Sequence, residues 1–529
     1  MSLYERRWES DLNPEPHFLN PRGAATKLTH TLSVLGLLFV LASARADENA
    51  WLVPLGPLPQ AAPKRISGGA GFPPLPLPAT PLRRSERKRE PRPPVMIGKI
   101  VWGESAEYRY EGGETRAIAD WNLCPDDVAQ LMRKAGRWFG LTYGTQPVSL
   151  ASFDPDPEQT PVLFFSGVRT IRMDAASFNV LRTYVARGGM IVLDSIAGSP
   201  YFTASALDLA ARLVPGEKVR EIPLDHPIYH MLEDATTVSY PRNKEGNRPV
   251  LEGVYVGSRI GVLVSRYGLG CGWDDREVPL LDEAIFYDTD SATRIGINLV
   301  AYGVGYANVA RMEARPELFG ALDEKPPADE LVFAQLKHGG AWNVHPGAAS
   351  SLLRRLRKES ALGVRLKRVA VDPAVDALDG YACLYLEGLD DFVWSEESLV
   401  RLRAFLGRGG TLVVNNGLGL STFDQAVRRE LGRLLPGAAL EPVSAGHAVF
   451  SALNVVEEVR YTAAVLQLQP ELTSPVLEGI LIDGDLRILY SPYDVACGWL
   501  GCDYPLAKAY DADSSVRVGM NLFVYAMTH

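Results

Sequence analysis

The segment LEGVYVGSRIGVLVSRYGLGCGWDD (Leu251–Asp275), followed by YDTDSATRIGINLVAY (Tyr287–Tyr302), occurs a second time in the same chain. The second copy reads LEGILIDGDLRILYSPYDVACGWLG at Leu477–Gly501 and YDADSSVRVGMNLFVY at Tyr510–Tyr525. Each copy contains apolar runs of strand length, a loop with Cys-Gly-Trp, and a helix-like segment. Such internal repetition indicates two copies of one structural unit.

Other landmarks repeat at a similar offset, so that all repeated pairs are 221 to 226 positions apart and the duplication extends beyond this segment. This spacing is far above the roughly 20–50 residues of solenoid repeats and is large enough for a complete domain. We therefore predict two tandem domains of one fold, at residues 95–312 and 330–529. The further pairs are Trp121-Asn122 with Trp342-Asn343, VLFFSG ending at Gly167 with CLYLEG ending at Gly388, RGGMIVLDS (Arg187–Ser195) with RGGTLVVNN (Arg408–Asn416), and His226 with His447.

Strand-like and helix-like segments alternate in both predicted domains. Helix, double glycine and apolar strand follow one another at Gly188 and again at Gly409, as expected at the joints of a doubly wound sheet. The short continuous apolar strands indicate a sheet covered on both faces. The pattern predicts two three-layer α/β domains. Helices are predicted at 125–139, 178–185, 205–216, 292–302, 348–357, 396–406 and 423–435, and one continuous strand at Val364–Val371.

Composition and charge exclude some classes of protein. A hydrophobic fraction of 47% is that of an ordinary globular protein, and a net charge of −9 offers no broad attraction for nucleic acid. Five cysteines cannot all pair within one chain. Cys383 lies in an apolar strand and reads as a small core residue. The sequence leaves a Cys497–Cys502 bridge open.

Residues 1–46 have the pattern of a secretory signal. An apolar run at 32–42 follows Arg22 and Lys27 and precedes Ala44-Arg45-Ala46, a small-x-small cleavage pattern. The run is shorter than the roughly 20 residues of a spanning helix. We predict cleavage after Ala46 and a periplasmic or secreted protein. An inner-membrane anchor formed by residues 32–42 is the alternative.

Residues 47–94 are rich in proline and end in a basic run. Such a segment buries too little apolar surface to repay its ordering entropy, so we predict a disordered linker. The basic stretch Arg83–Arg92 could contact an anionic membrane surface or an acidic partner.

With these elements placed, both halves resemble the bacterial family known as domain of unknown function 4159, whose members are similar to the class I glutamine-amidotransferase-like fold. The resemblance covers nearly all of 95–529. It rests on the Trp-Asn-x-x-Pro motif, the strands that end at Gly167 and Gly388, the double glycines, the DHPIYH segment at Asp225, the Glu-Gly pairs at Glu252 and Glu478, and the Cys-Gly-Trp and Gly-x-Asn-Leu motifs.

The resemblance implies a flavodoxin-like or amidotransferase-like scaffold in an envelope-associated protein. Many relatives carry transmembrane segments and resemble components encoded beside MoxR-type ATPases. This chain departs from them with two such domains and one candidate membrane segment. We therefore expect envelope proteins as partners, without assigning a MoxR-type ATPase.

An active amidotransferase would require a nucleophilic cysteine at a strand-to-helix turn, with histidine and a carboxylate later in the chain. Cys271 and Cys497 follow the histidines instead, and a cysteine in such a loop is more often a packed small residue. The alternative nucleophile is Ser195, with His226 as base and Asp194 or Asp225 as the orienting carboxylate. LDSIAGS lacks the G-x-S-x-G pattern.

Metal and cofactor signals are weak. Asp225, His226 and His230 could bind a metal if the two histidines shared a helix face, but Pro227 lies between them. The segments GGAGF and GLGCG lack the strand-to-helix context of a phosphate-binding loop. We predict no metal and no cofactor.

Position in the fold gives the best candidate binding site. In doubly wound sheets, ligands bind beyond the carboxyl ends of the strands. Acids, amides and an indole at these ends could bind a sugar or peptide, although such residues also cap loops. The candidates are Ser166, Asp194, Ser195 and Trp273 in the first domain and Glu387, Asn415, Asn416 and Trp499 in the second.

Two function hypotheses follow. The first is a non-catalytic periplasmic or envelope protein whose tandem domains act in ligand binding or assembly. The second is a serine hydrolase or amidase that uses the first domain only, through Ser195 and His226. Replacement of Ser195 by Asn416 in the second copy favours the non-catalytic hypothesis.

Overall fold

The computed structural model describes residues 48–51, 95–109, 113, 115–140, 143–241, 246–275, 283–314, 319–320 and 330–529. The predicted signal, the basic stretch Arg83–Arg92 and most of the predicted linker lie outside these residues. Of the linker, only Glu48–Trp51 is described, as a 3-10 turn. Among the described residues, no helix is long and apolar enough to cross a membrane.

The first domain is built on a mixed seven-stranded sheet. Its strand order is β4-β1-β5-β6-β9-β8-β7. The five strands from β4 to β9 in this order are parallel, and β8 runs antiparallel to both of its neighbours. The first-domain strands are β1 (Val95–Val101), β4 (Gly144–Ser149), β5 (Val162–Gly167), β6 (Met190–Ser195), β7 (Arg220–Glu221), β8 (Leu251–Val256) and β9 (Arg259–Ser265), with a separate hairpin of β2 (Ser105–Arg109) and β3 (Thr115–Ala119).

Helices cover both faces of this sheet. The helices are α1 (Asp127–Phe139), α2 (Ala175–Ala186), α3 (Pro200–Leu213), the short α4 (Gly270–Trp273), α5 (Thr289–Gly305) and α6 (Ala307–Glu313). Helices α1 and α5 pack with Phe164 and Val192 on one face. Helices α2 and α3 pack with Leu163, Phe165 and Leu193 on the other. Successive side chains of the central strands point to opposite faces of the sheet, and both faces are buried by helices, which gives three layers.

The second domain repeats this plan. Its seven-stranded sheet has the order β13-β11-β14-β15-β18-β17-β16, which matches the first position by position. The strands are β11 (Ala334–Leu336), β13 (Val369–Val371), β14 (Cys383–Gly388), β15 (Thr411–Asn416), β16 (Glu441–Pro442), β17 (Glu478–Ile482) and β18 (Asp485–Ser491), beside a small sheet of β10 (Glu330–Leu331) and β12 (Gly363–Val364); the helices are α7 (Ala348–Glu359), α8 (Glu396–Gly407), α9 (Ser421–Leu434), α10 (Ala463–Leu468) and α11 (Ala512–Thr528). Helices α7 and α11 lie on one face, and α8 and α9 lie on the other.

Equivalent residues make equivalent hydrogen bonds in the two domains, which confirms the predicted repeat. The indole of Trp102 donates to the Ser166 carbonyl, 2.8 Å away. In the second domain His338 takes this place and bonds to the Glu387 carbonyl, also at 2.8 Å. The turn after the central strand contains a non-glycine residue with positive φ in both copies, Ala197 at 55° and Leu418 at 54°.

The prediction of one continuous strand at Val364–Val371 is wrong. The chain pairs with β10 through Gly363–Val364, leaves the strand, and returns to pair with β11 through Val369–Val371. Arg368 lies at the break, with its guanidinium buried against Gln335 and Asn343 and over the Phe319 ring. A buried arginine that reaches these partners is incompatible with an uninterrupted apolar strand.

The two domains pack head to tail. We define the carboxyl edge of a sheet as the edge where its parallel strands end, and the amino edge as the opposite one. Ser258, immediately before β9, and Glu313, at the end of α6, lie at the amino edge of the first sheet. The Ser258 hydroxyl donates to Glu313, and Glu313 in turn accepts from the hydroxyl of Tyr504, which follows the strand ends of the second sheet. The first domain therefore covers the carboxyl edge of the second.

Apolar and polar contacts both contribute to this interface. Val344, Leu389 and Leu418 of the second domain belong to the same apolar cluster as α1 and α5 of the first. Around this cluster, the Tyr306 hydroxyl donates to the Pro505 carbonyl at 3.0 Å, Arg220 pairs with Asp390 at 3.0 Å, and the Ser421 hydroxyl donates to Asp225 at 2.7 Å. A shared core with a polar rim favours one fixed arrangement of the two domains.

Candidate functional site

Asp194 is the penultimate residue of the central strand β6 and binds the loop that leads into the short helix α4. Its two carboxyl oxygens accept hydrogen bonds from the backbone N–H groups of Leu269, at 2.8 Å, and Gly270, at 3.0 Å. Complete burial raises the pKa of Asp194 to about 7, against the lowering effect of these two bonds, and the nearby Asp127 raises it further. Asp194 therefore holds the β9–α4 loop in place.

A buried ion pair lies beside Asp194. The ammonium of Lys99 is 2.8 Å from both carboxyl oxygens of Asp127 and 2.6 Å from the Cys124 carbonyl. Burial raises the pKa of Asp127, and Lys99 opposes that shift. Because all three donors of an ammonium seek partners, this lysine fixes the start of α1 against strand β1.

The hydroxyl of Ser195 is used within its own turn. It donates to the Ser199 carbonyl at 2.9 Å and accepts from the Thr203 hydroxyl at 2.9 Å. Ser195 is completely buried. Asn416, its counterpart, donates instead to the Pro492 carbonyl at 3.2 Å. Ser195 therefore stabilises its own turn, whereas Asn416 links its turn to the loop that follows β18.

His226 lies at the opposite edge of the sheet from Ser195. Its ring is 5.8 Å from the rings of Tyr255 and Tyr302, and the Tyr302 hydroxyl accepts from the backbone N–H of Ile260 at the start of β9. Ser195 is at the carboxyl end of the parallel strand β6. The sheet therefore separates the predicted nucleophile from the predicted base.

The polar groups of His226, Asp225 and His230 make hydrogen bonds outside the predicted triad and metal site. His226 Nδ1 accepts from the backbone N–H of Ile228 at 3.2 Å, and burial lowers the pKa of this ring to about 3. Asp225 bonds to Ser421 of the second domain, and His230 bonds to the Leu224 carbonyl. Within the described ranges, no group of three or more His, Cys, Asp and Glu side chains is arranged to hold a metal ion.

The two candidate tryptophans are bonded into the helix that follows them. The indole N–H of Trp273 donates to the Ala292 carbonyl at 2.7 Å, and that of Trp499 donates to the Ser515 carbonyl at 3.0 Å. A Cβ at Gly296 would lie 2.6 Å from the Trp273 indole nitrogen, and one at Gly519 would lie 2.6 Å from that of Trp499. The glycine of each Gly-x-Asn-Leu motif thus permits this packing.

The remaining first-domain candidate, Ser166, has a different environment. It is 2% exposed, and its hydroxyl has no hydrogen-bond partner in the part of the chain that the structure describes. A buried unsatisfied hydroxyl is uncommon and marks a place where a small polar molecule could bind. Its binding role stays a prediction.

In the second domain, Glu387 and Asn415 each make several buried hydrogen bonds, whereas the amide oxygen of Asn416 has no partner among the described residues. Glu387 accepts from Gln335 at 2.9 Å, from the Tyr385 hydroxyl at 2.9 Å, and from the backbone of Val344 at 3.2 Å. Asn415 donates to Asp494 at 2.9 Å and accepts from the backbone N–H of Val495 at 2.9 Å. These side chains are occupied by internal hydrogen bonds.

A histidine with two carboxylates joins this network to the first domain. His345 Nε2 is 2.7 Å from Asp494, and its Nδ1 is 3.9 Å from Glu313. Burial opposes a charge on the ring, but Asp494 and Glu313 raise the pKa of His345 well above its ordinary value. Glu313 is also held by the Ser258 hydroxyl at 2.7 Å and by the Tyr504 hydroxyl at 3.1 Å. This buried ion cluster fixes the domain interface.

A cavity lies at the amino edge of the first sheet. It has a volume of about 760 Å³, within the range of small-molecule pockets. Three arginines, two carboxylates and the Tyr302 and Tyr306 rings contribute to its lining. The lining residues used below are Glu158, Arg187, Arg259, Val304 and Arg311. The sequence argument placed a site at the carboxyl edge instead.

Sequence reasoning missed the Lys99–Asp127 pair, the Glu313–His345–Asp494 cluster and a contact between Cys124 and Cys271. The sulfur atoms of these cysteines lie 3.6 Å apart. One signal was available, because Cys124 and His345 occupy the same position of the two Trp-Asn-x-x-Pro motifs. When the same motif position holds cysteine in one copy and histidine in the other, the position has a different role in each domain.

Fold and site together define a protein with two tandem α/β domains, each with a mixed sheet and helices on both faces. A family model described as Domain of unknown function (DUF4159) matches residues 108–304 and again residues 332–527. The chain belongs to this family and contains two tandem copies of its domain. No curated protein matches the chain.

Proposed function

We propose that this is a non-catalytic protein of the cell envelope in which two DUF4159 domains act in binding and assembly. The observation that carries the proposal is the use of the second domain's carboxyl edge. Where an enzyme of this architecture would bind a substrate, His345 and Asp494 are bonded to each other and covered by Glu313 of the first domain. The second domain thus uses the edge where a substrate would bind to hold the first domain.

The first domain also favours binding over catalysis. A serine nucleophile needs a base within about 2.6–3.2 Å, or somewhat farther without substrate. Ser195 is buried with its hydroxyl bonded to a carbonyl, while His226 lies at the other edge of the sheet. The cavity at the amino edge of the first sheet offers space for a ligand or a partner segment.

The proposal is tested by placing a photo-crosslinking amino acid at Val304, which lines the cavity and is 38% exposed. Val400, 60% exposed on helix α8 of the second domain, provides the matched control. In native envelopes we expect specific adducts from position 304 in excess of those from position 400. Equal or absent adducts at position 304 would contradict a binding role for the cavity.

The enzyme alternative has its own test. A fluorophosphonate probe labels an activated serine, and labelling that disappears in Ser195→Ala would establish a hydrolase. We expect no labelling of Ser195 in the native protein, because its hydroxyl donates to the Ser199 carbonyl and is shielded from solvent. Thr203→Val, which removes the other hydroxyl in contact with Ser195, controls for a change in packing alone.

A further inference from the structure

Two cysteines from distant parts of the first domain meet beneath an apolar cover. Cys124 precedes helix α1, and Cys271 lies in the short helix α4, 147 residues later. Their sulfur atoms are 3.6 Å apart, and both residues are 0% exposed. A disulfide bond of about 2.05 Å would require the sulfurs to approach by about 1.5 Å.

The corresponding place in the second domain lacks a thiol pair. The positions equivalent to Cys124 and Cys271 are His345 and Cys497. His345 is bonded to Asp494 in the ion cluster of the domain interface. The two copies thus differ here: the second domain is fixed by charged groups from its neighbour, and the first has two thiols in contact.

We propose that Cys124 and Cys271 form an intradomain disulfide that fixes the carboxyl edge of the first domain. The oxidant is a molecule with a disulfide bond, either an oxidised thiol oxidoreductase or a small organic disulfide. One cysteine thiolate attacks the oxidant's disulfide and expels one of its sulfurs as a thiolate. The second cysteine attacks the mixed disulfide and expels the other. The two protons released pass to the two thiolates of the reduced oxidant.

The cover over the pair determines when this bond forms. Tyr108, Ile118 and Trp51 belong to the apolar cluster around the two cysteines, and the first two lie on the β2–β3 hairpin. The contact with Cys271 and burial raise the pKa of the Cys124 thiol well above its usual range. Because the thiolate is the attacking species, oxidation occurs before the hairpin closes during folding, and the completed bond is then protected from external reductants.

The test is oxidative refolding of the whole chain in a glutathione redox buffer, followed by alkylation under denaturing, non-reducing conditions and peptide mapping. All five cysteines are free thiols in this structure. We expect a linked peptide pair that contains Cys124 and Cys271, and a loss of two alkylatable thiols. Cys497 and Cys502 line one cavity of about 330 Å³. Their alkylation in the same sample provides the comparison for that of Cys124 and Cys271.

Variants separate the proposed bond from other pairings. Cys124→Ala and Cys271→Ala should each abolish the linked peptide, while Cys383→Ala should retain it. Ile118→Ala, which thins the cover, should let the folded reduced chain oxidise faster than the wild type. The proposal is overturned if the refolded native chain retains both thiols, or if either cysteine is found linked to another one. Whether the refolded native chain retains both thiols is measured on the wild type alone, so this result does not depend on folding of the variants.

Discussion

Replacing Asp194 with asparagine should change how the stability of the first domain depends on pH. Burial raises the pKa of this carboxyl from 3.8 to about 7. A folded-state pKa above the unfolded value means that the native state binds the proton more tightly. The stabilisation from protonated Asp194 is therefore complete below pH 3.8 and is lost as the pH rises through 7.

The size of the effect follows from the shift. A difference of about 3 pKa units, at about 1.4 kcal/mol each, corresponds to about 4 kcal/mol. Asp194→Asn removes this titration while keeping the size of the side chain. The wild type minus variant difference in the free energy of unfolding should therefore fall by about 4 kcal/mol between pH 4 and pH 8.

The assay is urea denaturation of both proteins across this pH range, because the difference cancels groups that titrate equally in both. Asp208→Asn, at a side chain that is 65% exposed, is the matched control and should show little pH-dependent difference. A wild type minus variant difference that is constant or rises with pH would refute the reasoning. It would mean that the backbone bonds from Leu269 and Gly270 hold Asp194 ionised in the folded state.

Two further changes test the packing and the interface. Gly296→Ala would place a Cβ 2.6 Å from the Trp273 indole nitrogen, so we expect a loss of about 1–3 kcal/mol in urea denaturation, while Gly432→Ala, where the added Cβ meets nothing within 4 Å, should not destabilise. His345→Ala leaves its buried carboxylate partners without a counter-charge, so we expect a loss of about 3–5 kcal/mol; His230→Ala, at an exposed histidine, is the control, and equal losses in the two variants would contradict the interface cluster.

The repeat could be predicted because its signals are local. Short apolar strands such as VLFFSG and CLYLEG, each next to a helix and a double glycine, determine which segments pair and in what order. The resulting strand orders agree in the two domains. The interruption of the strand at Val364–Val371 could not be predicted, because it depends on Arg368 reaching Gln335 and Asn343 on neighbouring segments.

The candidate site was less predictable, because its chemistry depends on contacts between distant residues. Glu313 closes the first domain, and nothing in its surrounding sequence indicates that it will lie beside His345 and Tyr504. The same holds for Cys124 and Cys271. The rule that ligands lie at the carboxyl ends of strands selected Glu387, Asn415 and Asn416, but it could not indicate that the first domain covers this edge of the second sheet.

The head-to-tail packing of the two domains is the central claim, and cysteine crosslinking tests it most directly. The Asp225 carboxylate and the Ser421 hydroxyl are 2.7 Å apart across the interface. We would introduce Asp225→Cys and Ser421→Cys in a Cys502→Ser background, which removes the one cysteine that is not buried. A short bis-maleimide should link the two positions within one chain at high yield, with the single-cysteine variants as controls. Failure to link them while both thiols remain open to alkylation would contradict the packing on which the proposed function rests.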